Sequence, residues 1–144
     1  MSTEPNKAIA GRWHTEIWGG GDLNRALALA EEIVAADYVD HAMPPGLAPG
    51  IEGLKQQLTI FYTALPDIYS TADDVIAEED KVVVRWHGGG THKGEFFGIP
   101  PTGTAATITG IHIFRIAGGK IVEHWGNSDD LGMLRQLGAI PAPE

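Results

Sequence analysis

The chain has 144 residues, 43% of them hydrophobic, with no cysteine and a formal net charge of −9. That length and apolar content suit one domain, residues 1–144, with a real core, while the acidic balance disfavours phosphate backbones and so a nucleic-acid partner. The missing cysteines exclude disulfides and thiolate metal sites, and no basic start with an apolar run or ~20-residue apolar stretch occurs, so neither signal peptide nor membrane span is expected and a cytoplasmic location is the default.

Residues 4–18 predict a first helix, with Pro5 suited to its first turn and Ile9, Trp13 and Ile17 on one apolar stripe. His14 lies off that stripe and is expected in solvent. Gly19-Gly20-Gly21 ends the helix, and Asp22 reads as the N-cap of a second, about 23–35. Tyr38-Val39-Asp40-His41 is short and extended, and residues 43–50 form a Pro/Gly loop. A third helix, about Ile51 to Leu65, turns Leu54, Leu58 and Phe61 inward, and Pro66 stops it.

From residue 68 the apolar period changes to two. Strands are predicted over Ile68–Ala77 and Lys81–His87, with Gly88-Gly89-Gly90 an interruption or bulge, and the strand resumes over Thr91–Phe97. Two more strands, joined by a turn at Ala117-Gly118-Gly119, carry His112 and His124. Asp129 or Asp130 caps a short last helix. The terminal Pro-Ala-Pro-Glu is expected to fray. Helices first and consecutive strands after indicate α+β with a curved antiparallel sheet around an interior pocket.

The glycine runs are not followed by Lys-Ser/Thr, and no GxGxxG, GxSxG or HExxH is present, so nucleotide, serine-hydrolase and zinc chemistry lose their usual signatures. Glu123 and His124 are neighbours on a strand and point to opposite faces, so they cannot share one ion. No metal is expected. On residues 108–116 alternation puts Ile108, Gly110, His112, Phe114 and Ile116 on one face. A histidine among such residues is kept neutral by burial and can donate to an oxygen or carry a proton. On the last strand Val122, His124 and Gly126 share the pocket face, and Ile121 and Trp125 turn outward as an apolar patch for a partner subunit. Asp40 and His41 stand at the pocket's rim, where a desolvated Asp beside a His supplies acid/base chemistry. Trp13 is read as core or pocket wall.

Tyr38-Val39-Asp40-His41, the segment GEFFGIPPTG at 94–103, GIHIFRI at 110–116, GKIVEHW at 119–125 and LGMLRQLG at 131–138 together resemble the SnoaL-like polyketide cyclase family of the NTF2-like superfamily, also called predicted ester cyclases. The resemblance runs from about residue 6 to 139. It implies an NTF2-like cone, or α+β barrel, with helices packed on the sheet around a deep pocket, and assembly into homodimers or tetramers through the sheet. It implies aldol ring closure without metal or cofactor, by an Asp on the last strand and a His on the preceding one. That His matches His112. The Asp does not carry over, because the count from the His112 motif reaches Gly126.

The candidate catalytic residues are therefore His112 for the carbonyl oxygen, and His124, Asp40 or Asp129 for the proton. His41, Trp13, Phe61, Phe114, Gly126 and Asn127 are the candidate substrate contacts. The expected function is cofactor-free acid/base catalysis on a small, largely apolar carbonyl- or ring-bearing molecule: aldol cyclisation, isomerisation, or hydration and dehydration. A non-catalytic module for hydrophobic ligands is the alternative, since Gly126 stands where the cyclases have their Asp. An accessory protein working only through its sheet face is a third reading.

Overall fold

A computed structural model describes residues 2–141. The expected fraying of the C-terminus falls, apart from Pro141, outside these residues.

The first helix runs over 4–18 as expected, but in two forms: α1, Glu4–Arg12, passes into a π-helical turn, Trp13–Trp18. Ala10, Trp13, His14 and Ile17 are all buried. Asp22 caps α2, Leu23–Ile33, its carboxylate accepting from the N–H groups of Asn24 and Arg25. Such a cap is worth about 1 kcal/mol. α2 stops two residues before its expected end because Val34–Asp40 forms a strand, β1. α3, Gly50–Ala64, buries Leu54 and Leu58. Its Tyr62 hydroxyl donates to the Ile17 carbonyl at 2.6 Å and ties α3 to the π-helical turn.

β2 (Tyr69–Glu78), β3 (Lys81–Thr91), β4 (Ala105–Ala117) and β5 (Lys120–Ser128) follow as an antiparallel meander, and α4, Asp130–Gln136, closes the described chain. The sheet order is β1-β5-β4-β3-β2. The fold class is α+β as expected, with the helices on one face of the curved sheet. The sheet is mixed rather than purely antiparallel, since β1 runs parallel to β5. It is also open, with β1 and β2 as its edges. The intervening helix and meander let β1 return beside β5 in the same direction, a connection no hairpin could make.

Three local expectations are corrected. Gly88-Gly89-Gly90 neither interrupts nor bulges β3, whose register with β4 is continuous from Lys81 to Thr91. Here the glycines serve close approach: a Cβ on Gly89 would stand 2.2 Å from the Ala106 carbonyl oxygen. The strand does not resume after Thr91, and only a Phe96–Ile99 bridge pairs in that loop. Ile121 is fully buried, not outward. An irregularity between Arg115 and Ile116 pairs Ile116 with Ile121 and Arg115 with Glu123, so an extra residue shifts β5 by one at that point. Such a bulge reverses the facing of everything on one side of it. No helix among the described residues is long and apolar enough to cross a membrane.

Candidate active site

The inner face of β3, β4 and β5 is tiled by rings that lie over glycines. Trp86 pairs with Gly110 across β3–β4, and His112 pairs with Gly126 across β4–β5. A Cβ on Gly110 would stand 2.8 Å from Trp86 Nε1, and one on Gly126 would stand 2.6 Å from His112 Cδ2. Each missing side chain is the seat of the neighbouring ring.

β1 contributes the carboxylate. Asp40 pairs with His124 in the parallel register, and its Oδ1 accepts from His124 Nδ1 at 2.9 Å. The Ala42 N–H also donates to Oδ1, at 2.8 Å, and the Tyr38 hydroxyl donates to Oδ2 at 3.0 Å. Both side chains are buried, at 5% exposure for His124 and 4% for Asp40. With Nδ1–H fixed on the carboxylate, His124 presents Nε2 to the interior. Burial pushes the Asp40 carboxyl up, but the bonds from His124, Ala42 and Tyr38 outweigh it and hold the group below its ordinary range. Burial, then the Asp40 charge, raises the Tyr38 phenol, so it stays a donor.

His112 meets His124 edge-on at a ring-centroid distance of 4.6 Å, and His14 meets His112 at 5.1 Å. His14 is 1% exposed, not in solvent, and its Nδ1 lies 3.0 Å from Ser70 Oγ. Trp13, Trp86 and Phe114 complete the cluster. Trp13 Nε1, His14 Nε2, Trp86 Nε1, His112 Nδ1 and His124 Nε2 are all buried without a hydrogen-bond partner among the described residues. Buried polar atoms are nearly always paired, so five such atoms in one ring cluster set it apart from an ordinary core. Among the described residues no group of three or more His, Asp or Glu is arranged to hold a metal ion.

Burial pushes His14 down to about 3, with His124 adding to the effect. Burial, then His124 and His14, also holds His112 well below the ordinary imidazole range. In the unfolded chain both rings take up protons below about pH 6.5. The unfolded state then binds more protons, so stability falls as pH drops below about 6.5, by about 1.4 kcal/mol per pH unit for each ring. Asp40 acts with the same sign at lower pH: its contribution is present above about pH 4 and is lost as pH falls through its lowered folded value. Urea unfolding should therefore show a clearly lower midpoint at pH 5 than at pH 7. Equal midpoints would mean that the rings are not buried as neutral groups.

The structure brings together His112, His124, Asp40, Trp13 and Phe114, with Gly126 beneath His112. Asp129 stands apart, its carboxylate capping α4 through the Gly132 N–H at 2.9 Å. His41 turns to the outer face, where it stacks on Trp125 at 5.0 Å and bonds Glu123 at 2.7 Å. Phe61 packs against Trp18 and Phe96 rather than against the imidazoles. Asn127 and Asp129 line a hollow of about 460 Å³ on the outer face. A second hollow, about 410 Å³, lies against β1 beside Tyr38 and Asp40. Neither of these two hollows is lined by His112 or His124.

His14, Trp86 and Tyr38 were not singled out by the sequence reading as site residues. His14 had a signal: Ala10, Trp13, His14 and Ile17 follow the i, i+3, i+4, i+7 spacing of one helix face. Tyr38 and Trp86 had only the alternation of their strands.

A family profile described as SnoaL-like polyketide cyclase matches residues 8–137. The aklanonic acid methyl ester cyclase DnrD of Streptomyces peucetius is 45% identical over 56 residues, 38% of this chain and 39% of that protein. The match thus spans about two fifths of that relative's length. Over the whole fold, the structure of IdmH from Streptomyces antibioticus is similar with a TM-score of 0.74 and 35% identity, covering 94% of this chain and 99% of that one. TsrD from Streptomyces laurentii is similar with a TM-score of 0.83 and 27% identity, covering 97% and 99%.

Proposed function

Because this chain belongs to the SnoaL-like polyketide cyclase family, we propose that it is a cofactor-independent acid/base enzyme. Its substrate is a small, largely apolar carbonyl- or ring-containing molecule, and its reaction an aldol cyclisation, an isomerisation, or a hydration or dehydration. The observation that carries this is the buried Asp40–His124 pair, with His124 Nε2, beside His112, lacking a partner among the described residues.

In the proposed step His124 Nε2 takes a proton from the carbon next to a carbonyl. The C–H electron pair moves into the new C=C bond, and the carbonyl oxygen gains the negative charge. Asp40 stabilises the imidazolium that results, and neutral His112 donates to the oxygen. Fixed donors in a dry site stabilise such charge far better than water does. The enolate then attacks a second carbonyl carbon, whose π pair moves onto its oxygen and takes the proton back from His124, or it takes that proton back at another carbon. No base at residue 126 is needed.

The test is incubation in D2O with aklanonic acid methyl ester, following deuterium uptake by mass spectrometry and ring closure by chromatography. Uptake or closure that depends on His124 supports the proposal. Binding with neither supports the alternative, a non-catalytic module for hydrophobic ligands, which the lack of a carboxylate at Gly126 favours.

We propose further that the chain pairs with a second copy through the outer sheet face. Ile76, Val83, Ile113 and Trp125 stand in cross-strand register there. Ile76 is 65% exposed and Ile111 51%. Of the charges beside this row, Arg85 pairs with Asp74 and Arg115 with Glu123, and Lys81 Nζ lies over the Trp125 ring, 5.6 Å from its centroid. A two-fold axis through the row would bury its exposed apolar side chains against their copies. Ile113→Glu should convert a dimer into a monomer in light scattering. A wild-type chain that is monomeric at high micromolar concentration would falsify this assembly.

A further inference from the structure

We propose that Trp86 and His14 form a second pole of the site, a pair of hydrogen-bond donors for a neutral carbonyl oxygen, on the side of His112 away from His124. This deepens the acid/base reading and rests on it. Among the described residues, Trp86 Nε1 is buried and has no partner. An indole N–H can only donate, so nothing but an acceptor satisfies it. The ring is held in place from below, since Gly110 lets Nε1 approach to 2.8 Å from where a Cβ would be. From the side it stacks on His14 at 5.4 Å and leans on His112 at 5.0 Å.

His14 points its own unpartnered Nε2 into the same cluster. The Ser70 hydroxyl, 3.0 Å from Nδ1, can donate there, and the neutral ring then carries its proton on Nε2. His14 lies on the buried face of the π-helical turn, and Gly19 lets the end of that turn close on Ser70: a Cβ on Gly19 would stand 2.8 Å from the Ser70 carbonyl oxygen. π-helical turns are often found at functional sites.

The two imidazole arms are therefore unlike. Asp40 makes His124 an acceptor at Nε2, whereas a Ser70 hydroxyl that donates to Nδ1 leaves His14 a donor at Nε2. The buried charged or polar side chains among the described residues include His14, His92, His124 and the Asp40 carboxylate, and no lysine or arginine is among the buried residues. A site with donors but no buried cation favours a neutral ketone or quinone oxygen over a carboxylate, whose charge would be buried uncompensated.

The probes are 1-tetralone, tetralin and 1-naphthoate, added to the 15N-labelled full chain. The Trp86 indole N–H signal reports directly and needs no turnover. It should move downfield with 1-tetralone and not with tetralin, and 1-naphthoate should bind more weakly than 1-tetralone. Trp86→Phe should weaken 1-tetralone about tenfold and leave tetralin within twofold. An indole signal unmoved by 1-tetralone overturns the donor pole, as does an equal loss for both neutral probes, which marks Trp86 as packing only. Tighter binding of 1-naphthoate overturns the preference for a neutral oxygen. Binding of neither neutral probe overturns the pole together with the reading beneath it. A moved indole signal without deuterium uptake into aklanonic acid methyl ester keeps the pole and overturns only the acid/base role of His124.

Discussion

Replacing His124 by Gln is expected to slow deuterium uptake into a bound ketone by ~10²–10⁴, the usual worth of a positioned general base. Glutamine keeps a polar side chain at the position but cannot take a proton at neutral pH. Asp40→Asn should cost a comparable factor by another route. The carboxylate fixes the proton on Nδ1, so that Nε2 is an acceptor, and it stabilises the cation that forms when Nε2 takes a proton. An amide at 2.9 Å does the first poorly and the second not at all. Loss of such an orienting carboxylate elsewhere has cost ~10⁴ in turnover. The double variant should be little worse than the poorer single one, because groups acting as a unit are not additive. Thermal melts separate this from a packing role. Activity lost by orders of magnitude with Tm lowered by only a few degrees supports the pair as chemistry. Activity falling only in proportion to the folded fraction makes it a buried structural bond.

Much of the fold was legible because periodicity reports burial. The three long helices and the strands from residue 69 onward follow from the change of period near residue 68. What escaped was the pairing of distant segments. β1 reads as a short extended piece in the sequence, and only its parallel register with β5 makes Asp40 the neighbour of His124. That contact spans 84 residues, and no local pattern encodes it. Along β5, alternation placed His124 and Trp125 on their faces but misplaced Ile121, because a bulge resets the phase and leaves no mark in the residue types. Alternation also separates Asp40 from His41. Asp40 bonds inward to His124, and His41 bonds outward to Glu123. The two neighbouring pairs thus serve opposite faces of one sheet. His14 lies beside the Ile9–Trp13–Ile17 stripe, and the buried face is broader than that stripe, since Ala10 and His14 share it.

Gly126 is better understood as half of a pair than as an empty catalytic position. Gly126→Ala should destabilise the chain by about 1–3 kcal/mol, the cost of forcing an extra methyl into a filled core. The new Cβ would stand 2.6 Å from His112 Cδ2 and 3.0 Å from its Nε2. The imidazole cannot swing aside cheaply, being hemmed in by Trp86 at 5.0 Å, His14 at 5.1 Å and His124 at 4.6 Å. In a His112→Ala background the same change should cost almost nothing, or stabilise by about 0.5–1 kcal/mol, because alanine in a strand has less backbone freedom to lose than glycine. A double-mutant cycle by urea unfolding reads the coupling directly. Strong coupling means that a large residue at 112 in this position and a side chain at 126 exclude each other. A carboxylate could then not be restored at 126 without displacing His112, and the proton-moving role falls to His124, whose carboxylate arrives from β1. Additive effects would leave Gly126 open to a side chain and remove the steric reason for the base having moved.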